Sequence, residues 1–173
     1  MLDKGYVQVY TGNGKGKTTA MLGLALRASG AGLRVYIGQF VKSMAYSEIK
    51  AIEQHLPNVR AELYGTGCFL GREAAQEDID AARSGFQQAS EALLSGDYDL
   101  VMLDEINIAV FYGLLSPAEV VDLISGKPDH VELILTGRYA SEEVMAAADL
   151  VSEITEIKHY YTSGVPARDG IER

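Results

Sequence analysis

Residues 11–19 of the 173-residue chain read Thr11-Gly12-Asn13-Gly14-Lys15-Gly16-Lys17-Thr18-Thr19. They follow a short apolar run, residues 6–10, and precede a segment with helical spacing of apolar side chains, residues 17–29. This context matches the phosphate-binding loop G-x-x-x-x-G-K-[ST], except that a threonine takes the place of the first glycine. The stretch therefore predicts a nucleoside triphosphate site between a strand and a helix.

The residue types of this loop suit the recognition of an anion. Glycines let successive backbone amides point at a phosphate, and the N-terminus of the following helix adds a positive dipole end. We expect Lys17 to contact phosphate oxygens and the hydroxyl of Thr18 to bind a magnesium ion. The predicted nucleotide-binding residues of the loop are Gly12, Asn13, Gly14, Lys15, Gly16, Lys17, Thr18 and Thr19. The alternative is a glycine-rich turn with an incidental lysine.

A second motif, Asp104-Glu105, follows the apolar run 100–103. Such a run is typical of a central strand that is covered on both faces. An acid at the carboxyl end of that strand can hold magnesium directly or through water, whereas the alternative is a strand that ends in solvated carboxylates. The sequence leaves open which of Asp104 and Glu105 contacts the metal.

Short apolar runs alternate with longer amphipathic segments along the rest of the chain. Further strands are predicted at 34–40, 59–64, 131–135 and 150–157, and further helices at 47–56, 73–94, 117–126 and 141–148. Strands separated by helices indicate a mostly parallel sheet with helices on both faces, because a parallel pair needs a crossover connection. We expect an α/β fold in which residues 1–173 form a single P-loop nucleotide-binding domain, with an irregular C-terminal tail at 158–173.

Composition excludes several classes of protein. Lys and Arg number 15 against 24 Asp and Glu, a formal net charge of −9, which argues against a nucleic-acid-binding surface. Cys68 is the only cysteine, so one chain can form neither a disulfide nor a cysteine-based zinc cage. We identify no signal peptide and no apolar run of the ~20 residues that a membrane span requires. A cytoplasmic location without membrane partners is expected.

Several segments together resemble the ATP:corrinoid adenosyltransferases of the CobA/BtuR type. The resemblance covers nearly the whole chain. It rests on the loop at 11–19, Gly38-Gln39-Phe40-Val41-Lys42, Leu103-Asp104-Glu105, Leu135-Thr136-Gly137-Arg138, Ile157-Lys158-His159, Gly164-Val165 and Gly170-Ile171. The threonine that replaces the first loop glycine is also a feature of this family. The resemblance implies a RecA-like P-loop fold and a homodimer.

The same resemblance implies the reaction: transfer of the 5′-deoxyadenosyl group of ATP to the cobalt of a reduced corrinoid, cob(I)alamin, with release of triphosphate. It implies an ATP orientation that exposes the ribose C5′ to cobalt, and an electron donor such as a flavodoxin. On this pattern Lys17 and Glu105 are the catalytic residues. Thr18, Glu105 and Asp104 hold magnesium, and Lys42 and Arg138 face the nucleotide or are ordinary loop cations.

The corrinoid side of the site is less well marked in the sequence. Family members carry an aromatic segment after the third strand that presses on the lower face of the corrin, and here Phe69 is the residue assigned to it. The chain has no Trp, so the Phe-x-Trp wording of some members is missing. Cys68 is either a cobalt-proximal thiol or a small buried side chain. His159 either lines the corrinoid cleft or lies on the surface.

Two other function classes stay open at this point. The first is a P-loop ATPase or phosphotransferase that cuts at the γ-phosphate with Glu105 orienting water. The second is a nucleotide-gated binding module without turnover. The products separate the three, because only an adenosyltransferase releases triphosphate and forms a cobalt–carbon bond.

Overall fold

The computed structural model describes residues 2–42, 44, 46–66 and 74–172 of the chain. In chain order the elements are β1 (Val7–Thr11), α1 (Lys17–Gly30), β2 (Val35–Gln39), α2 (Ser47–His55), β3 (Val59–Leu63), α3 (Gln76–Leu94), β4 (Leu100–Asp104), α4 (Ile106–Phe111), α5 (Pro117–Ser125), β5 (Glu132–Thr136), α6 (Glu142–Ala147) and β6 (Leu150–Glu153), followed by a short 3₁₀ helix, Tyr160–Ser163.

The strands form one sheet in the order β3-β2-β4-β5-β1-β6, and every adjacent pair is parallel. The strands therefore all end at the same edge. In register, Gln39 at the end of β2 pairs with Asp104 at the end of β4. β5 lies between β4 and β1, so its last residue, Thr136, lies beside the start of the phosphate-binding loop. Polar residues at the carboxyl ends of four strands are thus brought together.

Helices cover both faces of this sheet. On one face Met21 and Ala25 of α1 pack with Ile52 of α2 against Ile37 and Met102. The opposite face carries a larger cluster, in which side chains of α3, α4, α5 and α6 pack against alternate residues of the same strands. Because the central strands β4 and β5 are covered on both sides, each carries a continuous apolar run instead of an alternating pattern. The predicted α/β fold, with helices on both faces of a parallel sheet, is confirmed.

Three local features differ from the sequence prediction. β6 ends at Glu153 instead of continuing to residue 157, because Ile154 turns over the phosphate-binding loop and accepts a hydrogen bond from the amide of Gly14. α4 was not predicted, since its six residues are too few to display a helical period. The predicted tail contains the 3₁₀ helix, and the side chain of His159 caps it by accepting from the Tyr161 amide. Among the described residues, no helix is both long and apolar enough to cross a membrane.

Candidate nucleotide-binding and active site

The phosphate-binding loop joins β1 to α1 and is shaped by the chain that follows β6. Gly12 and Gly16 have φ angles of 94° and 132°, in the region that favours glycine. The amide of Gly14 donates to the carbonyl of Ile154 at 2.7 Å. A Cβ atom on Gly12 or Gly14 would lie 2.5 or 2.8 Å from that carbonyl oxygen. The glycines are therefore required by backbone curvature and by a close crossing of two chain segments.

Lys17 begins α1 and reaches back across the loop. Only 6% of its surface is exposed, and its Nζ donates to the carbonyl oxygens of Gly12 at 2.7 Å and Gly14 at 2.8 Å. Burial lowers the pKa of Lys17 from its ordinary value, although the carboxylates of Glu105 and Asp104 oppose the shift. The ammonium group is thus held at the centre of the loop, where an anion would replace carbonyl oxygens as its partner.

Asp104 is the centre of a buried polar cluster at the end of β4. Its surface is fully buried. One carboxylate oxygen accepts from the hydroxyls of Thr18 at 2.9 Å and Thr136 at 2.7 Å. The other accepts from Gln39 Nε2 at 3.1 Å and Lys42 Nζ at 2.8 Å. The carboxylate therefore ties the phosphate-binding loop to three neighbouring segments.

Lys42 is the cation of this cluster. Burial acts to lower the pKa of Lys42, but the charge and hydrogen bond of Asp104 outweigh it and raise the pKa above its ordinary value. Lys42 thus stays protonated against the sheet edge. Its ammonium group partly balances the buried carboxylate.

Glu105 differs from Asp104 in both backbone and surroundings. Its φ is 59°, a left-handed conformation that is rare outside glycine, and its amide donates to the Thr136 hydroxyl at 3.1 Å. Burial and the adjacent charge of Asp104 raise the pKa of the Glu105 carboxyl. The turn directs Glu105 into an open cavity, while Asp104 lies beneath the floor.

Two other non-glycine residues share this left-handed conformation. Val41 has a φ of 66° and Tyr139 a φ of 60°. They follow β2 and β5, as Glu105 follows β4. Strained backbone of this kind costs ~1–3 kcal/mol per residue and is typically found at functional sites. The strain is concentrated at the sheet edge that carries the polar cluster.

A cavity of about 660 Å³ opens above this edge and collects most of the predicted site residues. Its lining includes the predicted residues Gly14, Lys15, Gly16, Lys17, Thr18, Thr19, Lys42, Glu105 and Arg138. Three others lie outside the lining: Gly12 is where the loop crosses the chain at Ile154, Asn13 is exposed, and Asp104 is buried beneath the cavity floor. Phe69, like Cys68, lies outside the described residues.

One wall of the cavity had no signal in the sequence, and another had only a partial one, through the resemblance. One is the start of α2 with the residue before it, Tyr46, Ser47, Glu48 and Ala51, together with Leu22 of α1. The other is the C-terminal segment, which contributes His159, Gly170, Ile171 and Glu172. No local pattern marks the α2 wall. The C-terminal wall was signalled only by the resemblance, which includes His159 and Gly170-Ile171.

Comparison with known proteins identifies the family of the chain. Residues 3–173 match the family described as ATP:corrinoid adenosyltransferase BtuR/CobO/CobP. The chain is 36% identical over 171 residues to the corrinoid adenosyltransferase of Escherichia coli K12, covering 98% of this chain and 86% of the relative. It is 35% identical to the corrinoid adenosyltransferase CobA of Salmonella typhimurium, with 98% and 86% covered. For the Pseudomonas aeruginosa enzyme the identity is 34%, with 98% and 84% covered.

These matches extend over nearly the whole chain, including the loop, the sheet edge and the C-terminal wall. They confirm the resemblance on which the predicted enzyme class depends. The chain belongs to the ATP:corrinoid adenosyltransferase family.

Proposed function

We propose that the protein transfers the 5′-deoxyadenosyl group of ATP to the cobalt of cob(I)alamin or a related corrinoid and releases triphosphate. The observation that carries the proposal is the cavity in which the phosphate-binding loop, Glu105, Lys42 and Arg138 meet. It combines a polyphosphate cradle with positive charge at the edge of the sheet. Family membership supplies the acceptor, a corrinoid.

The chemistry requires a leaving group and alignment more than a base. The electron pair of cobalt(I) attacks C5′, the C5′–O bond breaks, and its electrons leave on the triphosphate; no proton is transferred. Catalysis then consists of positioning and of stabilising charge on the departing oxygen. Lys17 is the residue best placed for this, because its buried ammonium group lies inside the loop that would hold the phosphates.

The residues fit a magnesium ion bound together with the nucleotide. The Thr18 hydroxyl donates a hydrogen bond to Asp104, which leaves the lone pairs of its oxygen for a cation. Glu105 adds a carboxylate that lines the cavity, whereas Asp104 already accepts from four protein donors. We therefore propose Thr18 and Glu105 as the groups on the metal, directly or through water, with Asp104 holding Thr18. When bound, magnesium would neutralise charge on the triphosphate.

This arrangement depends on the phosphates of the nucleotide as additional ligands. Among the described residues, no group of three or more His, Cys, Asp or Glu could hold a metal by itself. Magnesium usually keeps several waters and binds through one or two protein groups plus substrate phosphates. The site therefore fits a metal that arrives with ATP.

Three further parts of the proposal follow from the resemblance. Phe69 would cover the lower face of the corrin, an electron donor such as a flavodoxin would supply the reduced cobalt, and two copies of the chain would form a homodimer. A single domain over 1–173 and a cytoplasmic location belong to the same proposal.

An anaerobic assay with chemically reduced cobalamin and MgATP tests the function. We expect the spectrum of the alkylated corrinoid to form in step with inorganic triphosphate. ADP and phosphate as products would instead support a P-loop ATPase or phosphotransferase. Tight ATP binding without any product would support a binding module.

A variant pair sharpens the assay. Glu105→Gln removes the carboxylate that faces the cavity and is expected to abolish most turnover. Glu91→Gln, the same change on the exposed face of α3, is the matched control and should leave turnover unchanged. Equal turnover in the two variants would contradict the role given to Glu105.

A further inference from the structure

The C-terminal segment is fastened against the nucleotide cavity by side-chain contacts of its own. Glu172 accepts hydrogen bonds from the Tyr160 hydroxyl, from the Arg168 amide at 2.9 Å and from the Arg168 guanidinium. The guanidinium also lies 5.1 Å from the centre of the Tyr160 ring. Lys15 of the phosphate-binding loop donates to the carbonyl oxygen of Ile171 at 3.1 Å. The segment is therefore a built wall of the cavity.

His159 stands at the start of this wall with a defined ring orientation. Its Nδ1 accepts a hydrogen bond from the Tyr161 amide at 3.0 Å. The ring also packs against Tyr160, with ring centres 4.8 Å apart. A nitrogen that accepts an N–H bond carries no hydrogen, so the ring hydrogen of His159 is on Nε2. The Nε2 atom is thus a hydrogen-bond donor that capping does not use.

The surroundings of His159 indicate what that donor would meet. His159 lines the main cavity and also an adjoining recess of about 360 Å³. Gly14 and Lys15 line both spaces, and Lys158 lines the recess. Glu172 lines the main cavity with its charge balanced by Arg168, and Glu156 is the acid of the recess. The loop glycine and lysine are the parts of the molecule suited to phosphate, so this end of the cavity favours an anion over a base or a ribose.

We propose that His159 is a phosphate-contacting residue, which donates from Nε2 to an oxygen of the bound polyphosphate, and that the C-terminal wall completes the phosphate site. The inference rests on the nucleotide-binding part of the proposed function. It concerns binding of ATP and of the released triphosphate, and needs no corrinoid.

A substitution separates the donor from the cap. His159→Asn keeps an acceptor oxygen near the position of Nδ1 and removes the Nε2 donor. His55→Asn is the matched control, at an exposed histidine at the end of α2 and outside the cavity lining. Isothermal titration with inorganic triphosphate, ATP and adenosine, each with magnesium, measures the effect.

We expect His159→Asn to weaken binding of ATP and of triphosphate by about tenfold or more, the usual effect of losing a hydrogen bond to a charged group. The affinity of His159→Asn for adenosine should not change. The affinities of His55→Asn for ATP and for triphosphate should not change either. Unchanged triphosphate affinity, or a loss seen with adenosine and ATP but not with triphosphate, would overturn the proposal.

A measurement on the unaltered protein makes the test independent of the variant's folding. The nitrogen chemical shifts of His159 should show the Nε2-protonated tautomer, and the Nε2 signal should move when triphosphate is added. An Nδ1-protonated ring, or an Nε2 signal that triphosphate leaves in place, would also overturn it. If triphosphate binds through His159 but no adenosylated corrinoid forms, the proposed function fails while this inference stands.

Discussion

Replacing Asp104 with Asn tests whether the buried carboxylate holds the sheet edge together. Its two oxygens accept from Thr18, Thr136, Gln39 and Lys42. An asparagine has one acceptor oxygen and one amide group that only donates. In one orientation the amide group meets Gln39 Nε2 and Lys42 Nζ, which only donate. In the other it meets the Thr18 and Thr136 hydroxyls, which must rotate to accept. In either orientation the substitution preserves volume and removes the negative charge that Lys42 faces.

The expected loss can be estimated from these contacts. A hydrogen bond to a charged group contributes ~1.5–3 kcal/mol, and breaking a buried ion pair costs ~3–5 kcal/mol. The Lys42 side chain is 20% exposed, so its ammonium group can recover some hydration, which moves the estimate to the lower end. We expect a loss of about 3 kcal/mol in the free energy of unfolding. For a chain of this size that lowers Tm by about 6–12 °C.

Urea unfolding of a double-mutant cycle measures the effect. The cycle consists of Asp104→Asn, Lys42→Met and the double variant, with Asp97→Asn as an exposed control expected to change stability by less than about 0.5 kcal/mol. Because Lys42 and Asp104 form one ion pair, the two losses should be non-additive by about 1 kcal/mol or more. A loss below about 1 kcal/mol for Asp104→Asn, or an additive cycle, would refute the reasoning.

Three further outcomes are expected. Lys17→Ala should lower kcat/KM for MgATP by about a hundredfold or more, because it removes the positive charge nearest the departing triphosphate. Near-normal turnover would show that the loop does not hold the triphosphate. Gly14→Ala should destabilise the protein in urea, since the new Cβ would lie 2.8 Å from the Ile154 carbonyl, while Gly23→Ala, in open space within α1, should stabilise it by about 0.5–1 kcal/mol. Hydrogen bonds from Arg168 and Tyr160 lower the pKa of Glu172 to about 2. Carboxyl NMR should therefore show Glu172 ionised above about pH 3, and the contacts that hold the C-terminal wall should be lost only as pH falls through that lowered pKa. A Glu172 titration near the ordinary Glu pKa of ~4.3 would contradict these hydrogen bonds from Arg168 and Tyr160.

Much of the site was predictable because its residues are adjacent in the chain or end a strand. The phosphate-binding loop begins at Gly12, directly after β1, and Glu105 directly follows β4, so a parallel sheet necessarily brings them to one edge. For Lys42 and Arg138 the sequence leaves two alternatives, a residue that faces the nucleotide or an ordinary loop cation, because a long side chain in a loop has many orientations. The structure places both on the cavity.

Other features had no local signal. The difference between Asp104 and Glu105 depends on a left-handed turn and on donors from three other segments, none of which is encoded next to them. The role of His159 likewise depends on how the chain after β6 returns across the loop. Periodicity could not indicate that return, because the segment is irregular apart from one short 3₁₀ helix.

The amino-acid sequence by itself determined the α/β class, the phosphate-binding loop and the family. Those depend on short-range patterns: apolar periodicity, glycine spacing, and a lysine and a threonine at the start of a helix. Only the tertiary structure decided which carboxylate is buried as a structural acceptor and which faces the cavity, and which distant segment closes the phosphate end. The physical reason is that burial and hydrogen-bond partnership are properties of a place in the fold, made by segments as far apart as Thr18 and Thr136 or Lys15 and Ile171.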